Sequence, residues 1–81
     1  MAERVAAVPA PDAPPPPYPG KPLKQGSKGD NVKLVQGVVG ATQDGDFGPV
    51  TEKRVINWQT AHGLTPDGIV GKRTWSAMFP A

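Results

Sequence analysis

The sequence predicts an all-α fold: a small three-helix bundle built on two DGxxG loop-helix repeats and preceded by a Pro-rich disordered linker. Three observations lead there. The pattern Asp-Gly-x-x-Gly-x-x-Thr occurs twice, as Asp44, Gly45, Gly48 and Thr51 and again as Asp67, Gly68, Gly71 and Thr74, with a constant offset of 23 positions. A short internal repeat of this kind marks one supersecondary unit used twice. Apolar residues recur at helical spacing in three stretches punctuated by glycine. The first 22 residues, by contrast, are dominated by Pro and Ala and have little to bury.

Residues 1–22 are therefore expected to form a linker, with residues 23–81 as the folded domain. The run Pro14 to Pro17, followed by Pro19 and Pro22, favours extended polyproline II. At about 3.1 Å per residue such a segment reaches up to about 70 Å as a semi-rigid spacer. A ligand for SH3 or WW-type domains is the alternative reading of the same composition.

The first helix is expected from Asp30 to Val39. Val32, Val35 and Val39 share a face, Lys33 lies outside it, and Asp30 suits the positive end of the helix dipole. Gly26, Ser27 and Gly29 make the turn before it, and Gly40 stops it. Gly37, inside the helix, costs about 0.5–1 kcal/mol relative to Ala.

In each repeat Gly45 or Gly68 supplies positive φ where the chain reverses, and Asp44 or Asp67 accepts backbone N–H groups within the turn. Gly48 and Gly71 then release the chain into a helix. Pro49 fits the first turn of the second helix, which is expected from Pro49 to Ala61. On a helical wheel Thr51, Val55, Trp58, Gln59 and His62 face inward, with Lys53, Asn57 and Thr60 opposite. The third helix is expected from Lys72 to Phe79, before Pro80. No sheet is expected from the short runs between helices.

The ordered set GSKGDNVKLVQ, DGDFGPVTEKRVINWQTAHGL and DGIVGKRTWSAMF resembles the three-helix peptidoglycan-binding module of bacterial and phage cell-wall hydrolases. The resemblance spans Leu23 to Phe79. It implies a non-catalytic domain that holds a tethered catalytic domain near peptidoglycan, in the manner of an endolysin. It also implies an extracytoplasmic site of action. The start MAERVAAVPAP has no signal-peptide h-region, so export through a missing upstream domain, a holin-type release or another route is expected.

Composition leaves little room for chemistry. There is one His and no Cys among 81 residues. A zinc site needs three or four ligands, and no Ser sits in a nucleophile motif, so neither a metal nor a catalytic residue is expected. Asp44, Asp46 and Glu52 lack the order of an EF-hand loop. No cofactor is expected. His62 is expected to pack or to cap the second helix. No apolar run approaches the roughly 20 residues that span a bilayer, so no membrane insertion is expected.

The candidate ligand contacts are Asp46, Phe47, Asn57 and Trp75. Asp46 is freed from loop duty because its repeat mate is Ile69. Trp75 takes the position of Glu52, at the edge of the inward stripe, where an open ring face would stack on a sugar or the ring would simply close the core. Trp58 is assigned to the core, and Gln59 to a loop backbone. Asp44, Thr51, Asp67 and Thr74 are assigned to the scaffold. The excess of nine Lys and Arg over seven Asp and Glu is mild and dispersed. A small basic DNA-binding helical domain, with Lys72 and Arg73 opening its recognition helix, is thus the lesser alternative. A generic protein-interaction domain is a third. The expected state is a monomer that binds no nucleic acid.

Overall fold

The computed structural model describes residues 16–80. Among these residues three helices follow one another: α1 (Asp30–Val39), α2 (Pro49–Ala61) and α3 (Lys72–Met78). They agree with the expected spans to within one residue, the scatter normal for a helix end. Strand pairing among the described residues is confined to two isolated antiparallel bridges, Leu23 with Val70 and Lys28 with Asp46.

Each helix is entered through glycine and not through a side-chain cap: Gly29, Gly48 and Gly71 hold the N-cap positions, none with a capping side-chain bond. Helix α1 stops at Gly40, whose φ of 80° is left-handed. Helix α2 stops at His62 and Gly63, with the Leu64 N–H returning to the Gln59 carbonyl at 2.9 Å. That six-to-one closure satisfies a carbonyl that the helix end would otherwise orphan.

Gly37 has a packing reason. A Cβ there would lie 2.7 Å from Gln43 Nε2, and that amide donates to the Lys33 carbonyl at 3.0 Å. The propensity lost inside α1 thus makes room for the loop that follows it.

The core collects Leu23, Val32, Val35, Phe47, Val55, Val70, Trp75 and Met78. Five are valine or leucine and two are aromatic rings supplied from a loop and from α3, so the core is small and each member matters. Helices α1 and α2 form the most extensive helix pair.

Three expectations are corrected by this packing. Residues 16–22 do not stand off as a spacer: Tyr18 packs on the core, and the Trp75 indole N–H donates to the Pro16 carbonyl at 2.9 Å. The expected boundary at residue 22 therefore falls too late, while residues 1–15 lie outside the described part. Trp75 is 3% exposed and presents no open ring face. Tyr18 meets it edge-on at 6.2 Å and Phe79 lies 4.6 Å away, so its covering comes from a segment 59 positions earlier that no periodicity announces.

Trp58 packs against the core as expected, but from its edge. It is half-buried, not central, and stacks on His62 with ring centroids 3.8 Å apart. Its repeat mate Val35 is enclosed where α1 meets α2, whereas the next helix in the second copy has only seven residues. His62 is exposed and not inward-facing; it closes α2, with Nδ1 2.8 Å from the Trp58 carbonyl oxygen.

Candidate functional site

Two glutamines anchor the loops that shape the surface. Gln36, buried near the end of α1, reaches across to the first DGxxG loop. Its Oε1 accepts the Gly45 N–H at 2.9 Å, and its Nε2 donates to Asp44 Oδ1, the Asp46 carbonyl and Thr51 Oγ1 at 2.9, 2.9 and 3.0 Å. Gln59, 23 positions on, treats the second loop alike. Oε1 accepts from Gly68 N at 2.9 Å, and Nε2 donates to Asp67 Oδ1, the Ile69 carbonyl and Thr74 Oγ1 at 3.1, 3.0 and 3.2 Å. Because the glycine N–H can only donate, the amide orientation is decided by the loop itself.

Asp44 and Asp67 complete each loop by accepting the N–H two residues on, at 2.9 and 3.0 Å. The Asp46 N–H and then the Gln36 amide hold the Asp44 carboxyl below the usual carboxylate range. Thr51 and Thr74 are buried with their hydroxyl oxygens spent on the glutamines. The glutamine at position −8 from each Asp is part of the repeat, and its recurrence at Gln36 and Gln59 was the signal that could have revealed it.

Each loop borders a shallow groove at the mouth of the following helix. The first, about 300 Å³, lies among Ala41, Thr42, Asp44, Asp46, Pro49 and Val50. The second, about 230 Å³, lies among Leu64, Thr65, Asp67, Ile69, Lys72 and Arg73. Every residue lining the first has its repeat mate lining the second. The fold has made one groove twice and given the copies different side chains.

The four expected ligand contacts are not brought together. Asp46 lines the first groove, exposed, with Lys28 Nζ 3.2 Å from its Oδ1. Asn57 is exposed on the outer face of α2 and lines neither groove. Phe47 and Trp75 are core residues at 2% and 3% exposure. Among the described residues no three of His, Asp and Glu converge as a metal site would require, and no helix is long and apolar enough to cross a membrane.

The peptidoglycan binding domain family matches residues 28–78, which takes in α1, both loops and α3. The chain belongs to this family. An uncharacterised protein of Kitasatospora aureofaciens is 43% identical over 63 residues, 69% of this chain and 53% of that protein. The zinc D-Ala-D-Ala carboxypeptidase of Streptomyces albus G is 37% identical over 65 residues, 70% of this chain and 26% of that enzyme. The crystal structure of the Burkholderia AP3 phage endolysin is similar with a TM-score of 0.68 at 33% identity, covering 72% of this chain and 24% of the endolysin. This peptidoglycan binding domain thus spans about half the length of the first relative and about a quarter of the other two.

Proposed function

We propose that the chain is a non-catalytic peptidoglycan-binding module that keeps an attached hydrolase on the bacterial wall. The observation that carries this reading is the family match over residues 28–78, the whole of the repeated architecture. The geometry agrees with binding in preference to chemistry. The polar residues of the loops, Asp44, Thr51, Asp67, Thr74 and the two glutamines, are occupied with each other, and the surface they build is a pair of open grooves. Weak attachment to a repeated polymer raises the effective concentration of a tethered catalytic domain near its bonds. The site of action is the cell wall, and the catalytic domain is one joined to this chain.

Asp46 and Asn57 remain as candidate contacts to amide and hydroxyl groups of the polymer. Phe47 and Trp75 act only by holding the grooves' framework. The DNA-binding alternative draws no support from the relatives, and Lys72 and Arg73 open a helix of only seven residues.

Co-sedimentation with purified insoluble peptidoglycan, run beside a duplex-DNA shift assay, tests the reading. The protein is expected in the wall pellet and without a DNA shift. A DNA shift with no pelleting would reverse the assignment.

A further inference from the structure

The two grooves share a backbone and differ in charge. Between the first and the second, Asp46 becomes Ile69, Pro49 becomes Lys72 and Val50 becomes Arg73. The first groove is lined by two carboxylates and no cation, a formal charge of −2 that Lys28, outside the lining, offsets in part through its pair with Asp46. One carboxylate and two cations give the second +1. The replacements all push in one direction, which a merely solvated surface would not require.

Among the described residues the cations of the second groove are also uncommitted. The ion pairs among the described residues are Lys28 with Asp46 and Lys33 with Asp30, so neither Lys72 nor Arg73 is neutralised there. The groove's single carboxylate, Asp67, has Oδ1 engaged by the Ile69 N–H and the Gln59 amide. Leu64 and Ile69, the latter 37% exposed, supply apolar wall beside the charges.

We propose that this second groove is a carboxylate-binding subsite, in which Lys72 and Arg73 hold a free acid group of a wall stem peptide. The inference rests on the peptidoglycan-binding reading and names the part of the polymer that is held. A planar guanidinium pairs with both oxygens of a carboxylate, and an ammonium lining the same groove adds a second charge-assisted bond. The apolar wall suits a small methyl side chain next to that acid. Of the polymer's two components, the peptide stems carry free carboxylates, while the glycan presents mainly neutral hydroxyls and acetamides. The first groove, with its opposite charge, excludes the same group and so leaves one such subsite per module.

The test is an NMR titration of the labelled full chain with a soluble stem tripeptide, its fully amidated form, and inorganic phosphate. The free acid should shift resonances from Leu64 to Thr74 and leave those around Asp46 in place. Amidation of the peptide, or the double substitution Lys72→Gln and Arg73→Gln, should weaken binding at least about tenfold, the loss expected for charge-assisted bonds. Both substituted residues are exposed, and an unchanged spectrum elsewhere shows that the variant is folded. Equal binding of the amidated peptide, or shifts confined to the first groove, overturns the proposal. Phosphate binding as tightly as the peptide also overturns it, since the site would then select charge and not a stem acid. Sedimentation with whole peptidoglycan separates the two levels. If the wild-type chain pellets and the double variant pellets equally, the subsite is wrong and the wall-binding reading stands. If the wild-type chain does not pellet, the wall-binding reading itself fails.

Discussion

Gln36 and Gln59 stand 23 positions apart and make the same four side-chain hydrogen bonds, each to the DGxxG loop that follows its own helix. Their backbone carbonyls match as well, accepting the Ala41 and Leu64 N–H groups at 2.9 Å each. One residue type therefore closes a helix, orients the next loop and fixes where the next helix begins. Both glutamines are buried, at 1% and 0% exposure.

Replacing either glutamine should be among the most damaging polar substitutions in the chain. Gln59→Ala leaves the buried Gly68 N–H and the Thr74 hydroxyl without their partner. A buried polar group left unsatisfied costs about 1–3 kcal/mol. In a domain of this size that is a large part of the total. Urea unfolding should show the midpoint falling for Gln59→Ala and Gln36→Ala alike, with Asp67→Ala milder. A change below about 0.5 kcal/mol in both would mean that water replaces the amide.

Removal of the proline arm should now matter, and its effect should localise. A chain lacking residues 1–15 serves as the reference, and a second lacking 1–21 also loses the Pro16 carbonyl and the Tyr18 ring. One part-buried hydrogen bond and one edge-on aromatic pair together contribute about 1–2 kcal/mol. The shorter chain should melt several degrees lower and show red-shifted tryptophan emission as Trp75 meets water. Identical melting of the two would return residues 16–21 to the status of a free spacer.

These outcomes mark where the sequence was legible. Helix spans, glycine turns and the inward placing of Thr51, Val55 and Gln59 follow from a local period or a local backbone need, and local patterns carry that information. The tryptophans follow from neither. Trp58 and Trp75 both lie on or beside the inward stripe, and what separates them is which segment arrives to cover the ring. Pro16 and Tyr18 cover Trp75 from far along the chain, while Trp58 meets the core along one side and His62 along the other ring face, and stays half-buried. The grooves were half legible: the repeat implied two equivalent loops, but the pairing of Pro49 with Lys72 and Val50 with Arg73 as groove walls needed the three-dimensional surface.

Acid should destabilise the first loop through Asp44. Its carboxyl sits below the ordinary value of 3.8 because the Asp46 N–H, then Gln36, favour the ionised form. A depressed native pKa means that the stabilisation is complete above the unfolded value and disappears as pH falls through the native one. Denaturation midpoints of the wild type should therefore drop below about pH 4. Asp44→Asn keeps an acceptor oxygen but has no charge to lose, so its midpoint should change less across the same window. Parallel curves for the two proteins would show that other carboxylates govern the acid response.

Glycine substitutions should divide sharply by position within the second loop. Gly68 has φ +74°, and a Cβ there would lie 2.8 Å from Glu52 Cγ and 3.3 Å from Ile56 Cγ1. Gly71, three residues later, has φ −85° and open space where its Cβ would go. Gly68→Ala combines a left-handed backbone, costing roughly 1–2 kcal/mol for a residue with a Cβ, with a clash that pushes the loop away from α2. Gly71→Ala meets neither problem and loses less entropy on folding, so it should be neutral or slightly stabilising. Thermal melts of the two variants should differ by well over 5 °C, the shift about 1–2 kcal/mol produces in a domain this small. Because the Gly68 N–H is also the group that Gln59 Oε1 accepts, Gly68→Ala should weaken that bond as the loop moves. Combining Gly68→Ala with Gln59→Ala should then cost less than the sum of the two alone. Full additivity would show that the glycine is needed for its backbone shape only, independent of the glutamine that reads it.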